Sequence, residues 1–276
     1  MRLLLKVIGI SVVLALLLVI RGHLNATADP IVRRATIMLA HWPAGTPPVR
    51  LVLISDVHIG NSVMDPARLE RIVRQIDGLK PDLVLMAGDF AAGRDSVQAG
   101  GAVSRMAMPL SHLKAPLGVF ATLGNHDEWA DPKLVAATLA RAGVTVLDNQ
   151  AVRRGPLIIG GIGDSVTGHQ SVPKTAAAMA KLRGAHIVFT HSPDLARKLP
   201  PDMPLLLAGH THCGQVVLPF YGPVAEVSSP RYRCGIVREN GRIIVVTAGL
   251  GASVVPLRFG APPDLWLLTL GPPRRG

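Results

Sequence analysis

Five short apolar runs in the chain each end at residues that can bind a metal, and this recurrence limits the possible folds more than any other feature. The runs cover residues 51–54, 83–86, 119–123, 187–189 and 205–207. Their hydrophobicity is continuous, so none of these segments can present a solvated face. Strands of this kind are buried on both sides, as in a sheet covered by helices.

Helix start signals occur between the apolar runs. In each one an N-cap residue precedes a proline at the first helical position, namely Asp65-Pro66, Asp131-Pro132 and Ser192-Pro193. Strands that alternate with helices are typical of an α/β fold. Ligands of such folds bind beyond the carboxyl ends of the strands, so the polar residues that follow the runs are expected to share one pocket.

The polar residues after the runs form five motifs. These are Asp56-x-His58, Gly88-Asp89, Gly124-Asn125-His126-Asp127, His191 and Gly209-His210-x-His212. Side chains one residue apart lie on the same side of an extended segment, so the Asp-x-His pair and the His-x-His pair are each predicted to grip an ion. Asp89 has two carboxylate oxygens and follows a glycine that permits close approach, so it can bridge two ions.

The donor groups are carboxylate, amide and imidazole, which suit Mn²⁺, Fe or Zn²⁺ better than a structural zinc site. The seven predicted ligands are Asp56, His58, Asp89, Asn125, His191, His210 and His212. Seven are too many for one ion and fit two divalent ions that share one ligand. Two ions about 3.5 to 4 Å apart can hold a hydroxide and clamp two phosphoryl oxygens, as hydrolysis of a P–O bond requires.

Three further residues are predicted to act on the substrate. His126 lies next to the ligand Asn125 and has the carboxylate of Asp127 beside it, so it is placed to stabilise or protonate the leaving oxygen. Arg258 follows a Gly-Leu-Gly loop and is predicted to contact a substrate phosphate. A solvated surface arginine is the alternative at that position.

In this order the motifs resemble those of the calcineurin-like metallophosphoesterase superfamily, over roughly residues 49–270. The resemblance implies two packed sheets flanked by helices. It implies a first metal held by Asp56, His58, Asp89 and His212, and a second held by Asp89, Asn125, His191 and His210. It also implies that His126 is the catalytic histidine and that Asp127 is its partner.

Three features separate branches of this superfamily. Phe90-Ala91-Ala92 stands where Ser/Thr protein phosphatases are expected to have Asp-Arg-Gly, and residues 49–272 have no room for the C-terminal domain of long nucleotidases. Residues 209–216, Gly249-Leu250-Gly251 and an N-terminal anchor resemble small bacterial membrane-associated phosphodiesterases, although these usually have glycine in place of Cys213. Some relatives cleave UDP-2,3-diacylglucosamine in lipid A synthesis, which makes a lipid pyrophosphatase one alternative. A non-catalytic envelope-binding protein is another.

Residues 3–20 are apolar apart from Lys6. About 17 to 25 residues are needed to cross a bilayer as a helix. Residues 1–21 are therefore predicted to be a single anchor in the cytoplasmic membrane, and a cleaved signal segment ending near Ala26-Thr27-Ala28 is the alternative. The proline-rich residues 22–48 are predicted to be a linker or an irregular lead-in to the domain. Basic residues flank the anchor almost equally on both sides, so their distribution leaves its orientation open. A catalytic domain that faces outward is the preferred interpretation.

Charge and cysteine content restrict the partners. The net charge is +11 with a pI near 10.6, which would suit a nucleic-acid partner. Aromatic residues make up only 4%, however, so few side chains could stack on nucleotide bases, and no nucleic acid is expected. A membrane surface and a phosphoester substrate, which can be lipid-linked, are the predicted partners. The two cysteines leave three roles open for Cys213: a metal ligand, a disulfide with Cys234, or a small apolar side chain.

Overall fold

The computed structural model describes residues 1–93 and 96–273. Its strands are β1 Ile31–Met38, β2 Val49–Ile54, β3 Leu83–Ala87, β4 Val119–Thr122, β5 Thr145–Val146, β6 Gln150–Arg154, β7 Leu157–Gly161, β8 Ala185–Phe189, β9 Leu205–Ala208, β10 Val217–Leu218, β11 Gly222–Pro223, β12 Gly235–Glu239, β13 Arg242–Val246 and β14 Asp264–Gly271. All five apolar runs form strands, as predicted, with Leu123 just beyond the end of β4.

The α-helices are α1 Arg2–Thr27, α2 Pro66–Gly78, α3 Ser96–Arg105, α4 Ala107–Ser111, α5 Asn125–Ala130, α6 Pro132–Arg141 and α7 Val172–Met179. Short 3-10 helices cover Pro193–Lys198, His212–Gly214 and Pro230–Tyr232. The start signals of α2 and α6 are confirmed, because Asp65 accepts a hydrogen bond from Arg68 N at 2.7 Å and Asp131 accepts one from Leu134 N at 3.0 Å. The Ser192-Pro193 signal opens a 3-10 helix instead.

Two six-stranded mixed sheets form the body of the fold, in the orders β1-β14-β2-β3-β4-β5 and β12-β13-β9-β8-β7-β6. Leu51 and Leu53 of β2 point into a core shared with Ile187 and Leu207 of the second sheet. The alternate residues of β2 pack under α2 and its neighbours. The period-two alternation therefore buries both faces of each central strand, and the predicted pair of packed sheets flanked by helices is confirmed.

Residues 22–27 and 31–38 of the predicted linker belong to α1 and β1, so the domain begins before the predicted residue 49, whereas residues 39–48 contain no helix or strand, as in the predicted irregular lead-in. Helix α1 runs on to Thr27, and β1 then pairs in parallel with all eight residues of β14. Strand β1 lies at the edge of its sheet; Arg33 is partly exposed, Arg34 is exposed, and Ile37 is its one buried residue. A half-exposed edge strand gives a weak apolar pattern, so the surrounding prolines and glycine dominated the sequence signal.

Helix α1 is apolar enough to cross a membrane, with a mean hydropathy of 3.0 over its most apolar 18-residue window, and its side chains are exposed as far as Arg21. Its last turns dock on the domain. Arg258 N donates to the Gly22 carbonyl at 3.0 Å, and the Asn25 side chain donates to the Arg258 carbonyl at 3.2 Å. The end of this helix is thus fixed against the loop that precedes β14.

Candidate metal centre

The polar motifs converge where the central strands of both sheets end. Asp56 and His58 follow β2, Asp89 follows β3 and Asn125 follows β4, while His191 and His210 follow β8 and β9 of the other sheet. His212 opens a 3-10 helix just beyond β9. The structure thus brings the seven predicted ligands to one edge of the sandwich, where six are buried and His210 is partly buried.

One group of donor atoms contains Asp56, His58 and His212. The two Nε2 atoms of His58 and His212 are 3.1 Å apart, and Asp56 Oδ1 lies 3.4 Å from His212 Nε2 and 3.9 Å from His58 Nε2. Donors bound to one ion at about 2.1 Å lie about 3.0 to 3.4 Å apart at neighbouring positions and about 4.2 Å apart across the ion. The three atoms fit the coordination shell of a single cation.

A second group contains Asp89, His191 and His210. His191 Nε2 lies 3.3 Å from Asp89 Oδ2 and 3.1 Å from His210 Nδ1. The same Asp89 oxygen is 3.6 Å from His58 Nε2, a member of the first group. Asp89 Oδ2 therefore lies within 3.6 Å of an imidazole nitrogen of each group.

Buried oxygens without partners show that the residues present suit a cation. Among the described residues, Asp56 Oδ1 and Asn125 Oδ1 are buried side-chain atoms with no hydrogen-bond partner. Leaving a buried acceptor unpaired costs about 1 to 3 kcal/mol. A bound divalent cation would satisfy each of these oxygens, and oxygen with imidazole donors is a set that such ions accept.

Backbone carbonyls fix which ring nitrogen of each histidine faces the centre. His58 Nδ1 lies 3.0 Å from the Ala91 carbonyl, and His191 Nδ1 lies 2.8 Å from the Ala87 carbonyl. A carbonyl can only accept, so each Nδ1 carries a proton and Nε2 is the nitrogen that faces the centre. Such outer contacts orient metal-binding histidines in general.

Burial shapes the charge of the centre. It raises the pKa of Asp56 to about 7, and it lowers the pKa of His58 and of His210 to about 4. Burial opposes the charged form of His191 as well, but the adjacent Asp89 carboxylate outweighs it and raises the pKa of His191 to about 10. Without cations the centre therefore holds mostly neutral imidazoles and one imidazolium paired with Asp89.

The backbone at the ligands is left-handed, which corrects the geometric reason given for their spacing. Asp56, His58, Asp89, His210 and His212 have φ angles of 52°, 49°, 58°, 70° and 48°. The paired side chains do not share one side of an extended strand. They converge because each strand turns sharply at its end. Non-glycine residues rarely adopt this conformation, and such strain gathers at functional sites.

Glycines provide the room for these turns. A Cβ on Gly124 would lie 2.3 Å from Asp89 Oδ1, and one on Gly209 would lie 2.6 Å from Asp56 Oδ2. Neither carboxylate could stay in place beside a methyl group. The glycines before Asn125 and His210 are therefore part of the centre, although they carry no donor atom.

Asp127 is not the partner of His126, which corrects the predicted pair. The Asp127 carboxylate accepts hydrogen bonds from four backbone N–H groups, those of Asp89, Phe90, Ala91 and Gly124, at 2.8 to 2.9 Å. Consecutive residues at the start of α5 point in different directions, so the two side chains do not face each other. Asp127 is a positioning residue that holds the loops carrying Asp89 and Asn125.

His126 does face the centre. Its ring centroid is 4.8 Å from that of His58. Nδ1 lies 3.2 Å from the Gly93 carbonyl, and Nε2 lies 3.3 Å from Ser253 Oγ. Ser253 was missed from the sequence, where its only signal was its position two residues after the Gly-Leu-Gly loop.

Arg258 does not contact substrate, which corrects its predicted role. Its side chain is 0% exposed, and its guanidinium donates to the carbonyls of Ala248, Gly251 and Ala261 at 2.6 to 3.0 Å. Arg258 Nη2 also lies 3.1 Å from His212 Nδ1. The glycine-rich loop wraps around the arginine, so a side chain that looked available from its sequence context is used to hold the loop and His212.

A cavity of about 590 Å³ opens above the centre. Asp89, Asn125, His126, His210 and His212 contribute its polar floor. Its walls are mainly apolar and include Trp129, Val166, Val216, Val224, Ala225, Val227, Val254 and Val255. Beside it, Cys213 forms a disulfide with Cys234, so of the three roles left open for Cys213 the structure assigns the disulfide.

The calcineurin-like phosphoesterase family model matches residues 49–214 of the chain. The uncharacterized metallophosphoesterase YkuE of Bacillus subtilis is 32% identical over 257 residues, which cover 90% of this chain and 86% of that protein. Phosphodiesterase YaeI of Escherichia coli is 33% identical, with 84% and 86% covered. A transmembrane protein with metallophosphoesterase domain from Danio rerio is 28% identical over 95% of this chain, which spans only 62% of that longer protein.

The matched segment contains the predicted ligands Asp56 to His212, and the clusters of His and Asp side chains that could hold a metal ion lie within it. The family match, the relatives and the cation-binding geometry agree. The chain therefore belongs to the calcineurin-like phosphoesterase family and is a metal-dependent phosphoester hydrolase.

Proposed function

We propose that this protein is a two-metal phosphodiesterase that is anchored in the cytoplasmic membrane and acts outside the cytoplasm. The observation that carries the two-metal part is the position of Asp89, whose Oδ2 lies 3.6 Å from His58 Nε2 and 3.3 Å from His191 Nε2. These imidazoles belong to different donor groups. One carboxylate within reach of both supports a pair of ions, with Mn²⁺, Fe and Zn²⁺ as the candidates.

When bound, two such ions would neutralise charge on the phosphoryl oxygens and lower the pKa of water. Asp56, His58, Asp89 and His212 would hold one, and Asp89, Asn125, His191 and His210 would hold the other. The centre sits at the floor of the cavity, so a phosphoester must enter with its phosphorus toward these residues and its organic groups along the apolar walls.

His126 is the residue proposed to move a proton. Its Nδ1 faces the Gly93 carbonyl, so Nδ1 carries a proton in every protonation state, and Nε2 lies at the cavity. A protonated His126 can donate from Nε2 to the leaving oxygen, with Ser253 Oγ as the neighbour that keeps the ring oriented. The proposal therefore assigns His126 as the general acid.

The cavity favours a diester over a monoester. No lysine or arginine is found among the described residues that line it. A phosphate monoester brings two negative charges and one organic group, whereas a diester brings one charge and two organic groups. Apolar walls on either side of the floor suit the second case, and the name of the Escherichia coli relative supports it.

Two observations support the location. Helix α1 is long and apolar enough to span a bilayer, and the Danio rerio relative is named as a transmembrane protein. The disulfide between Cys213 and Cys234 favours an oxidising compartment outside the cytoplasm. A pyrophosphatase of lipid A synthesis would need to meet a cytoplasmic substrate, so the disulfide weighs against that alternative.

The test uses the full chain in detergent, loaded with Mn²⁺, and compares bis(p-nitrophenyl) phosphate with p-nitrophenyl phosphate. We expect hydrolysis of the diester to be faster, about two metal ions per chain by elemental analysis, and loss of both activities in Asp89→Asn. The exposed Asp202→Asn is the matched control and should behave as the parent does. Full activity of Asp89→Asn, or one metal ion in the active parent, would contradict the two-metal proposal.

A further inference from the structure

Two large apolar side chains occupy turn positions that are unfavourable for them in two ways. Phe220 is fully exposed and has a φ of 63°, and Val254 is 92% exposed with a φ of 60°. A left-handed conformation is rare for bulky residues and is a clear outlier for a β-branched valine. Neither solvent nor backbone geometry favours these residues at the tips of turns. Two such side chains are better suited to an apolar contact than to water.

The two turns belong to one exposed apolar surface, which we call the apolar rim. Its members are Leu218, Phe220, Tyr221, Val224, Val227, Val254 and Val255, all at least 42% exposed. Four of them, Val224, Val227, Val254 and Val255, also line the cavity above the metal centre. The rim therefore continues the apolar walls of the cavity outward to the surface of the protein.

The side chain of Gln215 joins the two turns of the rim. Its Nε2 donates to the Ser253 carbonyl at 2.8 Å and to the Val255 carbonyl at 3.0 Å, and its Oε1 accepts from Ser253 N at 2.8 Å. Gln215 leads directly into β10, whose hairpin with β11 carries Phe220 at its tip. The two apolar turns are thus held as one unit rather than as separate loops.

The rim is attached to the end of the anchor helix. Phe259 exchanges backbone hydrogen bonds with Gln215 and Val217, at 2.9 and 2.8 Å, and its ring packs so closely on Gly22 that a Cβ there would lie 2.5 Å from Phe259 Cε2. His23 Nδ1 lies 3.1 Å from the carbonyl of Pro256. The continuously exposed part of α1 ends at Arg21, beside these contacts, so residues 256–259 connect the rim to the end of the anchor helix.

We propose that the apolar rim inserts into the bilayer that α1 crosses, and that the substrate is a membrane lipid whose phosphodiester enters the cavity from that surface. The proposal rests on the phosphodiesterase function proposed above and names its substrate class. The apolar face of an interfacial amphipathic helix is buried about 5 to 10 Å, at the boundary of headgroups and acyl chains, and the rim is proposed to reach a similar depth. A lipid phosphodiester lies at that depth, so its acyl chains can stay in the bilayer against the rim while the phosphorus reaches the centre.

Rim insertion can be measured without any turnover. The full chain carrying Val254→Trp is reconstituted in phosphatidylglycerol and phosphatidylcholine vesicles with brominated acyl chains, and tryptophan quenching is compared with the parent. Met108→Trp is the control, because Met108 is a 68% exposed apolar residue of α4 that is not part of the rim. We expect at least about twofold more added quenching at position 254 than at 108. Equal quenching at the two positions would overturn the proposal.

The substrate class is tested with a long-chain phosphodiester lipid in vesicles and with soluble bis(p-nitrophenyl) phosphate. In Phe220→Ser/Tyr221→Ser, which alters rim residues that do not line the cavity, we expect lipid hydrolysis to fall about tenfold or more, since two exposed aromatic side chains lose their apolar contact. Soluble diester hydrolysis should stay within about twofold of the parent. Met108→Ser should change neither rate.

The outcomes separate the two proposals. A parent that hydrolyses neither substrate removes the phosphodiesterase function itself. A parent that hydrolyses the soluble diester but not the lipid, or a rim variant that loses both rates equally, overturns the lipid inference alone. A second copy of the chain is the competing occupant of the rim, and a rim variant that turns a detergent-solubilised dimer into a monomer, by light scattering, would overturn membrane insertion.

Discussion

Asp127→Asn distinguishes most sharply between the sequence-based role of this residue and the one seen in the structure. Each carboxylate oxygen accepts two backbone N–H groups: Oδ2 from Asp89 and Gly124, and Oδ1 from Phe90 and Ala91. An asparagine keeps one oxygen and turns an NH₂ group toward the other two donors. Two buried N–H groups are then left without an acceptor.

The size of the effect follows from those two groups. At about 1 to 3 kcal/mol for each unsatisfied buried donor, the free energy of unfolding should fall by about 2 to 6 kcal/mol. Asp89 N is one of the donors, and Asp89 Oδ1 in turn accepts from His126 N at 2.9 Å. Loss of the carboxylate should therefore also displace Asp89, the ligand proposed to be shared, and weaken metal binding.

The assay is urea unfolding of the metal-free full chain in mild detergent, followed by Mn²⁺ titration of the folded protein. Asp202→Asn serves as the exposed control and should leave both quantities unchanged. If Asp127 instead orients or charges His126, the pH profile of kcat/KM should shift while stability stays within about 0.5 kcal/mol of the parent. That result would refute the positioning role.

Three other predictions follow from the centre and its loop. Metal affinity should rise with pH by up to about tenfold per unit between about pH 7.5 and 9. The reason is that His191, with its pKa raised to about 10, must lose a proton to bind a cation. Calorimetry in buffers of different ionisation enthalpy would detect the released proton. Gly124→Ala should lower Mn²⁺ affinity by at least about tenfold, since its Cβ would lie 2.3 Å from Asp89 Oδ1. Unaltered binding would show that the loop can shift to make room for the methyl group, against this prediction. Arg258→Met should lower the free energy of unfolding by about 3 kcal/mol or more, because the carbonyls it satisfies become unpaired. A raised KM with unchanged stability would instead restore Arg258 as a substrate contact.

The pH trend has a sign that can be checked in the metal-free protein. His191 has a folded-state pKa above its ordinary value, so its pairing with Asp89 stabilises the fold fully below the unfolded pKa of about 6.5 and ceases to do so as the pH rises through about 10. Metal binding and this ion pair therefore compete for the same nitrogen, and the balance moves toward the metal as the pH rises.

Much of the architecture could be read from local chemistry. The continuous apolar runs fixed five buried strands, because a segment without a polar face must be covered on both sides. The Asp-Pro pairs at 65 and 131 predicted two helix starts, since the carboxylate and the proline act on the first turn alone. The prediction that the five motifs share one site also rests on sequence order, because the ends of neighbouring strands meet at one edge of a sheet.

Other assignments depended on contacts that no local pattern contains. Strand β1 forms only because β14, more than two hundred residues later, supplies its partner. Asp127 is a residue type suited to catalysis, yet the folded loops present backbone N–H groups to its carboxylate. Arg258 is a residue type suited to phosphate binding, yet the folded loops present carbonyls to its guanidinium. Whether a polar side chain faces a substrate or a backbone is decided by which segments pack around it.

The amino-acid sequence by itself therefore determined the reaction class and the strand framework and predicted the ligand residues, because these rest on residue type and period. The tertiary structure alone decided the left-handed turns that converge the ligands, the inward-facing Arg258, and the apolar rim beside the anchor. No sequence pattern distinguishes Phe220 and Val254 from other apolar residues. They acquire meaning only when the backbone places them, exposed, next to the end of a membrane helix, because exposure and proximity are properties of the folded chain.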